Sequence, residues 1–202
     1  MIAQLQGNVV SIGATWLVID VSGVGFRVAT TPTTSSQLHI GRSATLFTSM
    51  VVREDAMNLY GFSSTGERDC FELCMSASGV GPKLALAITS VLSPQDFASA
   101  VQADDLAALC TVPGIGRKGA QKIVIELKDK VLSLGAGTAG VRRPVSGSQQ
   151  WREQVTEGLE SLGWSTKDAE AACETVAPLA ADDPEASVAM LMKAALASLA
   201  RA

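Results

Sequence analysis

Aromatic side chains make up only 4% of the 202-residue sequence, and histidine occurs once, at His39. No stretch reaches the ~18–20 unbroken apolar residues of a membrane helix. The opening Met1-Ile2-Ala3-Gln4-Leu5-Gln6 lacks a basic start followed by an apolar run, so a cytoplasmic protein with no membrane partner is expected. The four cysteines, Cys70, Cys74, Cys110 and Cys173, form no CxxC pair, which argues against a zinc ribbon or thioredoxin-type chemistry. They read as small core residues of a reducing compartment. There is no GxxxxGK[ST] loop for ATP and no sequence cluster of metal ligands. His39, in Gln37-Leu38-His39-Ile40-Gly41, reads as a surface loop residue rather than a base. No catalytic set and no cofactor are expected in this chain.

What is present is a 47% hydrophobic composition, enough for aliphatic cores and too much for a disordered chain. Net charge is -4, which at first disfavours nucleic acid, but the charges are unevenly spread. Residues 1–62 balance Arg27, Arg42 and Arg53 against Asp20, Glu54 and Asp55. Residues 141–202 hold six basic and nine acidic side chains. Residues 113–130 set Arg117, Lys118, Lys122, Lys128 and Lys130 against Glu126 and Asp129, a local excess of +3. Local clusters, not the sum, decide the partner.

Three segments follow one another. Strand-forming runs at 2–10, 16–21, 25–29, 44–52 and 57–62 suggest a small barrel or sandwich. From about 64 to 133 the period becomes helical. Ser93-Pro94 reads as a helix start, and 117–132 as a helix with Ile123, Leu127 and Val131 on one stripe. A Gly/Ser-rich stretch over 134–148 reads as a flexible linker. The remainder, 149–202, reads as three short helices: one ending at Gly163, one capped by Thr166, and one opened by Asp183-Pro184-Glu185.

The helical segment contains a repeat. Ser78-Gly79-Val80-Gly81-Pro82-Lys83-Leu84-Ala85 aligns with Pro113-Gly114-Ile115-Gly116-Arg117-Lys118-Gly119-Ala120 at an offset of 35 residues. Both glycines, the lysine and the alanine coincide, and Val80 faces Ile115. Each copy reads as helix, Gly-hydrophobic-Gly turn, helix. Paired glycines let backbone approach a ligand closely. The first amides of the following helix have no internal partner, and the helix dipole is positive there. Such a turn is an anion site, with Lys83 or Lys118 adding charge. A plain helix–helix turn explains the glycines but not a lysine at the same place in both copies. Gly114, Gly116 and Gly119 also fit GxGxxG, but Asp104–Thr111 reads as helix, so the preceding strand of a Rossmann loop is missing. Two turns in tandem suit the two backbones of duplex DNA, recognised by shape. No recognition helix for base readout is evident.

Taken with Val51-Val52-Arg53-Glu54-Asp55-Ala56 and Leu59-Tyr60-Gly61-Phe62, these residues closely resemble the RuvA family, the junction-binding subunits of the RuvAB Holliday-junction branch-migration machine. The resemblance runs the whole length. It implies an α+β multidomain chain: an OB-type barrel at 1–63 forming a tetramer core, an all-α tandem helix-hairpin-helix domain at 64–133, the linker, and a mobile three-helix UBA-like domain at 149–202. It implies a homotetramer or octamer on four-way junction DNA. It also implies the hexameric ATPase RuvB as motor, using ATP and magnesium, and the resolvase RuvC as a further partner.

The phosphate-binding residues carried over are Ser78, Gly79, Val80, Gly81 and Lys83 in the first turn. In the second they are Gly114, Ile115, Gly116, Arg117, Lys118 and Lys122. The family's acidic pin falls on Glu54 and Asp55, which by themselves read as a solvated hairpin tip. Its motor-facing apolar surface falls on Leu159, Leu162, Trp164 and Leu196; of these Leu159 and Leu162 also read as core, while Trp164 beside Gly163 suits an interface anchor. One departure is Gly119, where the family usually has a small β-branched or hydroxylated residue. Two other readings stand beside this one. A helix-hairpin-helix glycosylase or lyase would need a catalytic Asp such as Asp129 and a base pocket. A generic OB-fold single-strand binder would need basic and aromatic residues across the barrel.

Overall fold

A computed structural model describes residues 1–132, 134, 147–183 and 186–199. It divides into two compact units, Met1–Gly140 and Val141–Ala202, so the first two sequence segments pack as one body.

The first unit opens with five strands: β1 (Gln4–Ile12), β2 (Trp16–Val21), β3 (Val24–Thr30), β4 (Ser43–Val52) and β5 (Met57–Phe62). They close a barrel in the order β1-β2-β3-β5-β4. Val21 pairs with Val24 across Ser22-Gly23, whose φ angles of 53° and 89° are the left-handed pair of a type I′ turn. A bulge between Val9 and Ser11 lets β1 bend from β2 toward β4. Alternation along β2 points Leu17 and Ile19 inward, where they meet Leu5, Val28 and Leu46. A helix that sequence periodicity missed, α1 (Pro32–Ser36), lies between β3 and β4. Thr31 caps it and Pro32 stands in its first turn.

Helices follow at α2 (Thr65–Met75), α3 (Pro82–Val91), α4 (Pro94–Gln102), α5 (Leu106–Cys110) and α6 (Arg117–Leu127). Glu67 fastens this segment to the barrel by accepting from Ser63 N–H at 3.0 Å and from Thr34 Oγ1 at 3.3 Å. Phe71 of α2 stacks on Tyr60 at 4.9 Å and tilts against Phe62 at 5.1 Å. Three of the nine aromatics thus meet where barrel and helices join, in a core continuing through Ile88, Phe97, Leu109 and Leu127. Burial there pushes the Tyr60 hydroxyl pKa up. The helix expected over 117–132 ends at Leu127. Beyond it the chain tightens, Lys130 and Val131 both donating to the Leu127 carbonyl at 3.0 Å. The apolar stripe survives this, because Ile123, Leu127 and Val131 are all buried.

The second unit holds α7 (Gly147–Ser161), α8 (Thr166–Asp182) and α9 (Val188–Leu199), packed around Trp151, Val155, Leu159, Val176 and Leu191. Gly163 ends α7 at φ 98°. Trp164 N–H donates to Leu159 O at 3.2 Å and Gly163 N–H to Glu160 O at 2.9 Å, the two bonds of a Schellman motif. Two expected helix starts shift. Ser165, not Thr166, caps α8, because its hydroxyl reaches Asp168 N–H at 3.2 Å. Asp183 ends α8 rather than opening the third helix. That helix begins at Val188, with Ser187 O accepting from Leu191 N–H at 3.1 Å. Pro184, Glu185 and most of the expected linker lie outside the described residues. No single described helix is long and apolar enough to cross a membrane.

Candidate nucleic-acid interface

The aligned repeat folds twice into the same object. Each copy begins with a turn closing the preceding helix: Ser76 Oγ donates to Leu73 O at 2.8 Å and Thr111 Oγ1 to Ala108 O at 2.6 Å. Ala77 N–H then bonds Cys74 O at 3.1 Å, and Val112 N–H bonds Leu109 O at 3.2 Å. Gly79 and Gly114 follow at φ 87° and 94°, a region in which a side chain is strained. Val80 and Ile115 turn inward and are buried, fixing each turn to the core. Gly81 and Gly116 are the N-caps of α3 and α6, at φ -88° and -95° with ψ 173° in both.

These two caps differ from the others. Thr31, Ser64, Ser93, Asp105 and Ser165 each accept a backbone N–H from the helix they open. Gly81 and Gly116 make no side-chain cap bond. Their backbone lies in a region open to any residue, and a Cβ at either would meet nothing within 4 Å. Neither turn sterics nor internal packing requires glycine at 81 or 116. Its consequence is an open helix mouth. Among the described residues nothing accepts from the amides of Gly79, Gly81, Lys83 and Leu84, or from those of Gly114, Gly116, Arg117, Lys118 and Gly119. A Cβ on Gly119 would stand 3.9 Å from Ile115 Cγ2, so glycine there answers no crowding either.

Lys83, Arg117 and Lys118 are exposed beside these mouths and form no ion pair among the described residues. Lys122, a turn further along α6, stands 3.8 Å from Glu126. Ser78 is exposed, and its backbone N–H is engaged within the chain, donating to Glu126 Oε2 at 2.6 Å. That bond, with the charges of Lys122 and Lys130 behind it, holds the Glu126 carboxyl pKa below its ordinary value. Glu126 was not foreseen as a member of the site, since a contact across 48 residues leaves no local spacing signal.

Glu54 and Asp55 form the exposed tip of the β4–β5 hairpin, closed by Arg53 N–H to Ala56 O at 2.8 Å. This tip and the first glycine turn share a groove of about 440 Å³, lined among others by Arg53, Asp55, Tyr60, Gly81 and Lys83. An acidic tip and a basic turn therefore face one space. Asp129 is exposed in the turn after α6, between Lys128 and Lys130.

In the second unit the expected motor-facing side chains separate. Leu159 is 0% exposed and belongs to the core, a correction to its expected place on a contact face. Leu196 is partly buried against the same core. Leu162 and Trp164 stand out at 60% and 38% exposure, raised to the surface by the Schellman turn.

Comparison with known proteins agrees with this architecture. Residues 1–61 match the RuvA N terminal domain, 71–129 the SAM-like helix-hairpin-helix tandem, and 150–200 the RuvA C-terminal domain. A Holliday junction branch migration complex subunit RuvA from Cutibacterium acnes is 51% identical, with 100% of each chain covered. The proteins of that name from Thermobifida fusca and Streptomyces coelicolor are 50% and 47% identical, again over 100% of each chain. With three family domains in order and full-length relatives at this identity, the chain belongs to the RuvA family.

Proposed function

We propose that this chain binds four-way DNA junctions through sugar-phosphate contacts, without reading sequence, and serves as the non-catalytic subunit of a branch-migration complex. The observation that carries the reading is the pair of uncapped glycine mouths at Gly81 and Gly116, with free lysines at 83 and 118. Helix N-terminal amides and an unpaired cation together suit a phosphate oxygen. Two such mouths suit the two rails of one duplex arm.

In this reading the chain is a homotetramer, or an octamer when a second tetramer closes over the junction. Four copies bring eight carboxylates of Glu54 and Asp55 toward the crossover. A carboxylate and a phosphate ~8 Å apart repel by about 2 kcal/mol at an effective dielectric of 20. Basic turns hold the arms while acidic tips keep strands apart at the centre, and the junction stays open and planar. The three-helix domain presents Leu162 and Trp164 to RuvB, the ATPase that hydrolyses ATP with magnesium as its cofactor; this chain needs no cofactor. RuvC acts on the same junction.

A gel shift tests this, comparing a synthetic four-way junction with duplex and single strands at one stated salt concentration. The junction should bind most tightly, and adding RuvB with ATP should drive branch migration. Equal affinity for all three nucleic acids would overturn the reading.

A further inference from the structure

The two glycine turns are not independent. Glu126, near the end of α6, accepts the Ser78 N–H of the first turn on Oε2 at 2.6 Å. Its other oxygen, Oε1, lies 3.8 Å from Lys122 Nζ on the same helix. One carboxylate thus touches the turn of one hairpin and the basic face of the other. The repeat does not supply the reciprocal bond. Position 113, the counterpart of Ser78, is a proline with no N–H, and position 91, the counterpart of Glu126, is Val91. The first turn carries a donor that needs a partner, and the second hairpin carries the acceptor.

We infer that Glu126 is a positioning residue for backbone binding: it fixes the first glycine turn against the second hairpin and so sets the spacing of the two phosphate sites. This inference rests on the proposed function. Geometry favours it over a role in solvation alone. The bond engages the amide immediately before Gly79, the left-handed residue that aims the turn. The Glu126 carboxylate gains nothing by sitting near phosphates, because it repels them. Its presence beside Lys122 therefore works against DNA affinity unless the hydrogen bond to Ser78 outweighs the repulsion.

That conflict makes the sign of a substitution decisive. Glu126→Ala removes a negative charge near DNA and also removes the acceptor. Glu126→Gln removes the charge but keeps an oxygen for Ser78. If Glu126 positions the turn, full-length Glu126→Ala binds a four-way junction roughly three- to tenfold more weakly, the scale of one lost hydrogen bond. Glu126→Gln binds at least as tightly as the parent. If Glu126 acts only as a charge, both variants bind more tightly, which overturns the inference. Amide exchange at Ser78 in the DNA-free protein gives a second readout. Protection should persist in Glu126→Gln and disappear in Glu126→Ala while exchange in α2 and α3 is unchanged. Ser78 protection unaltered in Glu126→Ala also overturns it. Failure of the parent itself to prefer junctions would strike the proposed function instead, and the exchange experiment would still read the brace.

Discussion

Gly81 and Gly116, 35 residues apart, occupy the same backbone conformation at the mouths of α3 and α6, and neither glycine is needed by the fold that contains it. Replacing either with serine separates stability from binding. A serine cap costs no strain here and should leave stability unchanged or raise it by a few tenths of a kcal/mol. Its hydroxyl takes up an amide, and its Cβ stands where a phosphate would approach. Junction affinity in Gly116→Ser should fall by about 1 kcal/mol, roughly fivefold. Titration of labelled junction beside thermal unfolding checks both halves.

In the proposed reading Lys83 and Lys118 supply charge to the sugar-phosphate backbone without base contact. Lys83→Ala and Lys118→Ala should weaken binding to junction arms of any sequence alike. Each should flatten the slope of log affinity against log salt by about one. A sequence-dependent loss would place these lysines at base edges instead.

Glu54→Gln combined with Asp55→Asn keeps the hairpin tip and removes its charge. Four-way junction binding should persist while duplex competes more effectively, since the tip no longer repels strands at the centre. Competition gel shifts measure the ratio, and an unchanged ratio would remove the acidic tip from the mechanism.

Within the three-helix unit, Leu159 and Trp164 should fail differently. Leu159→Ala opens a cavity in the core and should destabilise the unit by about 2–5 kcal/mol. Trp164→Ala and Leu162→Ala remove exposed area, should leave unfolding nearly unchanged, and should weaken RuvB recruitment. Calorimetry and a pull-down with RuvB distinguish the two classes.

The hydrogen bond at Glu126 has a pH signature. Its carboxyl pKa is lowered in the folded chain, chiefly by the Ser78 N–H. The bond's contribution is therefore complete above the ordinary carboxylate range and is lost as pH falls through the lowered value. Protection of the Ser78 amide should follow that loss on acidification, whereas in Glu126→Gln it should be independent of pH over the same range.

Much of the site could be read from short stretches of chain. The glycines, the buried Val80 and Ile115 between them, and the five strands all follow from local rules of backbone freedom and hydrophobic period. Local rules misplaced the caps at Thr166 and Asp183 by a few residues, because several polar side chains near a helix end compete for one amide. They passed over α1, whose five residues are too short for periodicity. They could not assign Leu159, since a leucine at a helix end looks alike whether it faces a core or a partner.

Sequence alone determined that two equivalent turns would each open a helix on a glycine, because a glycine has no side chain to cap the first amides and that is a property of a few consecutive residues. Tertiary packing decided that Ser78 would meet Glu126, that Asp55 and Lys83 would line one groove, and that Leu159 would be enclosed while Trp164 was not. Those relations join residues far apart in the chain, and only the closing of a common core brings them within a few ångströms.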